Sequence, residues 1–149
     1  VFVAAFVGAN IDANSVNASE VPGKRRNVYA LEKLRDFLYA AVTGHLKDAI
    51  NVACMTSLVK LKDTALPFDG VVAKACASDK VAVKGDYKIH LKRHTVAEST
   101  ASTQASSTMT ALEVLGVVTN QGTRPHPIYV LTDTPLSKRL QEVVTPATV

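Results

Sequence analysis

The chain has 149 residues, which is the length of a single domain of ordinary size. Hydrophobic residues make up 47% of the sequence and charged residues 20%, and this balance excludes a wholly disordered chain. The net charge of +4 permits a polyanionic partner, whereas the absence of Trp and an aromatic content of 5% argue against an extended stacking surface for single-stranded nucleic acid.

The first part of the chain, residues 1–65, predicts a helical extension that follows a short strand or helix start and a loop. Residues 1–7 are apolar, and residues 8–23 are rich in Asn, Ser, Ala and Gly. Apolar residues then recur at helical spacing, which predicts one helix from Val28 to a stop at Gly44 and another from about Leu46 to Leu61. The apolar face of these helices favours packing against a second copy, so a homodimer or larger assembly is expected.

The middle of the chain predicts a short helix and then β structure. Residues 68–77 read as a helix with four residues facing inward: Val71, Val72, Ala75 and Cys76. Between residues 80 and 92, apolar and basic residues alternate, which is typical of a strand pair with one buried face. We expect a hairpin with a three-residue loop at 84–86. The alternative is a helix over residues 87–94 with Asp86 as its N-cap.

A Ser/Thr-rich segment from residue 95 onward predicts a long helix. Small apolar residues and a methionine step along one face: Ala97, Ala101, Ala105, Met109 and Leu112. The opposite face carries short hydroxyl side chains: Ser102, Thr103, Ser106, Ser107 and Thr110. Such a face suits a surface that lies close against a partner and exchanges hydrogen bonds with it.

The end of this helix and the residues after it resemble the winged helix-turn-helix family of DNA-binding domains. A glycine ends the helix, two strands flank a polar turn, and a last helix with Pro135 in its first turn follows. The residues that carry the resemblance are Leu112, Glu113, Leu115, Gly116, Val117, Val118, Gly122, Arg124, Tyr129, Leu131 and Thr132. The resemblance implies a mainly helical α+β fold, in which a winged helix-turn-helix domain at 66–149 carries a two-stranded wing and the N-terminal helical extension at 1–65.

The function that this resemblance implies is non-enzymatic binding of double-stranded DNA. A recognition helix at about 99–115 and a wing at 117–132 are the expected contacts, in a regulator or in the C-terminal module of a larger replication or recombination protein. We expect base-edge contacts from Ser99, Ser102, Thr103, Gln104 and Ser106, with Gln104 best suited to adenine. We expect phosphate or groove contacts from Lys88, Lys92, Arg93, Arg124, Lys138 and Arg139.

Other classes of function have weaker support in the sequence. No phosphate-binding glycine loop and no serine nucleophile motif occurs, so neither an enzyme nor a cofactor is expected. His90, His94 and Glu98 could ligate zinc on one helical face, but a hairpin would separate them, so no metal is expected. The main alternative is a structural or assembly protein, such as a viral coat protein or a subunit of a large complex.

The expected location is intracellular, in the cytoplasm, nucleoid or a virion, and the chain is not expected to be secreted. Cys54 and Cys76 form no CxxC motif and have no third partner, which indicates a reducing compartment. No charged segment precedes the apolar start, as it would in a secretory signal. The longest apolar run, residues 1–9, is far shorter than the roughly 20 residues that span a bilayer, so no membrane partner is expected.

Overall fold

The structure is a computed structural model, and it describes residues 28–145. These residues form six helices and a small three-stranded antiparallel sheet, so the predicted mainly helical α+β class is confirmed. In chain order, the elements are α1 (Val28–Thr43), α2 (Ala49–Leu61), β1 (Phe68–Asp69), α3 (Gly70–Ala77), α4 (Gly85–Lys88), α5 (Glu98–Val114), β2 (Val118–Asn120), β3 (Ile128–Leu131) and α6 (Pro135–Val144). The predictions for residues 1–23 lie outside the described residues. No helix within 28–145 is long and apolar enough to cross a membrane.

Local sequence signals explain where α1 ends and α2 begins. Gly44 has a φ of +80°, a left-handed conformation that glycine adopts without steric cost, and it ends α1 as predicted. The second helix starts three residues later than predicted because Asp48 is its N-cap. The Asp48 carboxylate accepts hydrogen bonds from the amides of Ile50 and Asn51, which have no carbonyl partner in the first turn.

The predicted helix at 68–77 is shortened by a strand that the sequence did not indicate. Phe68 and Asp69 pair with β3, and α3 begins only at Gly70, with Asp69 as its N-cap. Burial of Val72, Ala75 and Cys76 is confirmed. The inward orientation predicted for Val71 is wrong, because this side chain lies in the first turn and is 60% exposed.

The predicted hairpin between residues 80 and 92 is wrong, and so is the long alternative helix over 87–94. Residues 78–97, which we call the insert, contain only the four-residue helix α4 and one isolated bridge between Ser78 and Thr95. The alternation predicts one buried face of apolar residues, but this face does not form, because Tyr87 is buried whereas Ile89 is 81% exposed. Tertiary hydrogen bonds hold the insert instead of a strand ladder, among them those between the Ser57 hydroxyl and the backbone of Lys92.

The long helix and the hairpin after it are confirmed as elements. Gly116, with a φ of +73°, ends α5, and β2 and β3 pair antiparallel from Val118 opposite Leu131 to Asn120 opposite Tyr129. The strand order is β1-β3-β2, so β3 is central and the unpredicted β1 makes the sheet three-stranded. In α5, Ala101, Ala105, Met109 and Leu112 are buried as expected. Ala97 is exposed and is the N-cap, and Ser107, placed on the outer face by the sequence, is buried.

One hydrophobic core joins the described parts of both predicted units. It contains Phe37 and Leu58 from before residue 65 as well as Leu112 and Leu140 from after it. The apolar face of α1 and α2 that predicted a dimer therefore packs largely within this chain. α5 lies at the centre, packed most extensively against α3 and α1, while α6 covers α1 and α2.

Candidate nucleic-acid interface

The outer face of α5 carries a row of exposed hydroxyl groups. Ser99, Ser102, Thr103 and Ser106, which we call the hydroxyl stripe, are all exposed and follow helical spacing. Gln104 is only half-buried and lies at the edge of the stripe. The opposite face is built of alanines and Met109, so α3 and α1 can approach the helix axis closely.

A buried polar network fixes the rotation of α5, and therefore the direction in which the stripe faces. The Thr108 hydroxyl donates to Oδ1 of Asn51 on α2 at 2.8 Å, and both residues are fully buried. The Asn51 amide in turn donates to the Lys33 carbonyl at 3.2 Å and to the Asp36 carboxylate at 3.0 Å. Rotating α5 about its axis would leave these buried groups unpaired, which is costly.

A groove lies beside the stripe, between α3, α5 and the β2–β3 hairpin. This hairpin groove has a volume of about 240 Å³. It is lined by Gly70, Ala73, Lys74, Ser102, Ala105, Ser106, Met109, Arg124, Pro127 and Tyr129. Two cations, Lys74 and Arg124, therefore share a concave surface with two hydroxyl groups of the stripe. The sequence-predicted residues Ser102, Ser106 and Arg124 are brought together here.

The loop that carries Arg124 is held by its own hydrogen bonds. Oδ1 of Asn120 accepts from the amides of Gly122 at 2.8 Å and Ile128 at 3.1 Å, which bridges the two ends of the loop. A side chain at Gly122 would overlap the carbonyl oxygen of His126, so glycine is required by close backbone approach. Arg124 is exposed at the tip of this tightly closed loop.

Two of the arginines predicted to contact DNA are engaged in the fold. The Arg93 guanidinium donates to the carbonyls of Ala75 and Ser78, both at 2.9 Å, and to the carbonyl of Val81. It thereby satisfies carbonyls at and beyond the end of α3. Arg139 donates from Nε to the Ala41 carbonyl at 2.9 Å, which ties α6 to the last turn of α1.

The predicted lysines are exposed but lie outside the hairpin groove. Lys88 is on α4 and Lys138 is on α6. Lys92 lines a separate groove of about 390 Å³, formed by the α1–α2 loop, α2 and the end of α6. The structure thus does not gather all the predicted cations around α5.

Sequence reasoning missed Lys74 and did not assign Tyr129 to the site. Lys74 is the single charged residue of an otherwise apolar α3, and nothing in the linear pattern distinguishes it from a solvated lysine. Tyr129 lines the groove from β3, and burial raises the pKa of its hydroxyl, with the nearby Glu113 carboxylate as a second cause. A tyrosine phenol is already protonated at physiological pH, and this shift acts in the same direction, so the hydroxyl can donate a hydrogen bond.

The zinc alternative loses the helical geometry on which it depended. His90 and His94 lie in irregular segments of the insert, and only Glu98 is helical, at the start of α5. Within residues 28–145, no group of three or more His, Cys, Asp or Glu side chains has a metal-binding arrangement. Cys54 and Cys76 are buried free thiols.

Comparison of the chain with protein-family models, with curated proteins and with solved structures gave no match.

Proposed function

We propose that this protein binds double-stranded DNA through the hydroxyl stripe of α5 and the cations of the hairpin groove. The observation that carries the proposal is the convergence of Lys74, Arg124, Ser102 and Ser106 on one concave surface. A regulator, or the C-terminal module of a larger replication or recombination protein, is the role that such binding would serve.

The sizes and chemistry of this surface suit a duplex. An α-helix fits the major groove of B-DNA, which is about 12 Å wide. Short hydroxyl side chains let the helix backbone approach the duplex, where they can donate to phosphates and can donate to or accept from base edges. In this proposal Arg124, at the tip of a loop held by Asn120, contacts the duplex on the flank of the helix, and it and Lys74 supply the charge that phosphates require.

The first test measures the affinity of the full chain for a fluorescently labelled duplex by anisotropy, over a series of salt concentrations. The variant K74Q/R124Q removes both groove cations. Each phosphate contact contributes about 0.9 to the slope of log affinity against log salt, so we expect the slope to become shallower by roughly 1.8. The matched control K60Q/K62Q removes the same charge from exposed lysines outside the hairpin groove and should leave the slope close to that of the unmodified chain.

A second pair of variants tests the hydroxyl stripe itself. S102E/S106E places two carboxylates on the exposed face of α5, where they would repel phosphates and reduce affinity at least about tenfold at low salt. A49E/A65E adds the same charge at two exposed alanines outside the hairpin groove and should change affinity much less. Absence of duplex binding by the unmodified chain near 50 mM salt contradicts the proposal, because the electrostatic contribution is strong at that ionic strength.

An assembly role is the second candidate, and one observation favours it. Leu31, Tyr39 and Val42 of α1 are 36%, 36% and 47% exposed and follow helical spacing on its outer face. A surface of this kind fits a second copy or a neighbouring subunit. Self-association measured by sedimentation, lost in L31E/V42E, together with no binding to the duplex, would favour this candidate over DNA binding.

A further inference from the structure

The positive charge of the described chain is concentrated in the insert. Residues 78–97 hold five Lys and Arg side chains and two Asp side chains, a net charge of +3. The rest of residues 28–145 holds nine basic and nine acidic side chains, a net charge of zero. One segment of 20 residues thus accounts for the whole excess of positive charge in the described part of the chain.

Four of the five basic side chains of the insert are free to meet a partner. Lys80, Lys84, Lys88 and Lys92 are all exposed. The salt bridges present among residues 28–145 join Lys33 to Asp48 and Arg139 to Glu142, and neither involves the insert. The fifth cation, Arg93, instead serves the fold through its hydrogen bonds to backbone carbonyls.

The insert is anchored at several points along its length, so the course of its backbone is fixed. The Ser57 hydroxyl on α2 donates to the Lys92 carbonyl at 3.2 Å and accepts from the Lys92 amide at 2.9 Å. The Tyr87 hydroxyl donates to the Pro67 carbonyl at 2.7 Å, which fixes α4 beside the segment that leads into β1. At the base of the insert, the amide of Val96 donates to the Ala77 carbonyl at 3.2 Å.

This base leads directly into the first turn of α5. The insert ends at residue 97, and the first member of the hydroxyl stripe, Ser99, follows two residues later. In helix-turn-helix proteins, the N-terminal residues of the recognition helix contact the base edges. The insert is the segment of the chain that immediately precedes this end of α5.

We propose that the insert is a second, sequence-independent DNA contact, in which Lys80, Lys84 and Lys88 bind phosphates that flank the footprint of α5. This proposal rests on the proposed function, since it assumes that α5 faces a duplex. Lys92 is left out because it lines the groove between α2 and α6. The insert adds affinity and salt dependence but no discrimination between base sequences.

The test compares K80Q/K84Q/K88Q with the matched control K47Q/K60Q/K62Q, which removes the same charge from exposed lysines outside the insert. Affinity of each full-length chain is measured by anisotropy for two labelled duplexes of unrelated sequence, from 50 mM salt upward. Loss of three phosphate contacts makes the salt slope shallower by up to about 2.7. We expect this change in the insert variant on both duplexes alike, and a slope near that of the unmodified chain in the control.

Two results overturn this inference while leaving the proposed function intact. The first is an insert variant that binds both duplexes with the affinity and salt slope of the unmodified chain. The second is an equal loss of affinity in the insert variant and in the control, because such a loss would reflect net charge alone. A third arm uses vesicles with anionic headgroups, because Ile89, which follows Lys88 in the insert, has a side chain that is 81% exposed. If the substitutions reduce vesicle binding and not duplex binding, a lipid surface is the partner and the inference is wrong. If the unmodified chain binds no duplex, the proposed function and this inference fail together.

Discussion

The buried hydrogen bond between Thr108 and Asn51 should be measurable as a coupling between α5 and α2. Replacing Thr108 by Val preserves the side-chain shape but leaves Oδ1 of Asn51 buried without its donor. An unpaired buried acceptor costs about 1–3 kcal/mol, so T108V should lower the free energy of unfolding by that amount. N51L should cost more, because its amide also donates to the Lys33 carbonyl and the Asp36 carboxylate.

The double variant N51L/T108V removes both partners of the bond. Its destabilisation should therefore be smaller than the sum of the two single effects, by about 1 kcal/mol or more. Urea denaturation followed by circular dichroism gives the four free energies of the cycle. The control T103V changes an exposed threonine of the same helix and should shift stability by less than about 0.5 kcal/mol.

Additivity of the two substitutions would refute this reasoning. If the double variant equals the sum of the singles within about 0.5 kcal/mol, the two side chains do not interact in the folded protein. The rotation of α5, and hence the direction of the hydroxyl stripe, would then have to be set by apolar packing alone.

Four further predictions concern single positions. G116A should destabilise the protein by about 1–2 kcal/mol in urea, because the φ of +73° is unfavourable for alanine although its Cβ would meet no atom within 4 Å; G116N should cost less. G122A should reduce the free energy of duplex binding, measured by anisotropy, more than it reduces the free energy of unfolding, measured in urea, since a Cβ there overlaps the backbone of the loop that carries Arg124. Equal losses in the two free energies would contradict this. R93K should be about as unstable as R93Q in thermal denaturation, because a lysine cannot donate to three carbonyls in the geometry of the guanidinium, and full recovery in R93K would be evidence against that role. Since burial raises the pKa of Tyr129 above its ordinary value of 10.0, the folded state keeps this proton longer than the unfolded state, so stability should fall as pH rises above about 10, and less steeply in Y129F.

Local sequence patterns were sufficient for the longest helices and their ends. The apolar residues of α1 and α5 follow the helical period over four turns, and only a helix brings residues at this spacing onto one buried face. Gly44 and Gly116 mark the ends of helices because glycine adopts a positive φ without steric cost, and this tolerance can be read from the residue type alone. The exposure of Ser102, Thr103 and Ser106 follows from the same period, which also marked part of the candidate site.

Tertiary structure decided the insert, the third strand and the composition of the hairpin groove. Alternation from residue 80 to 92 indicated strands, but no ladder forms there: the Ser57 hydroxyl exchanges hydrogen bonds with the backbone of Lys92, and the Arg93 guanidinium donates to the Val81 carbonyl. β1 has two residues, too few to show any period, and it exists only because β3 offers it an edge. Lys74 and Arg124 are 50 residues apart, and only the packing of α3 and the hairpin against α5 places them on one surface. Sequence periodicity determines which face of an element is buried, whereas the meeting of distant charges depends on how the elements pack.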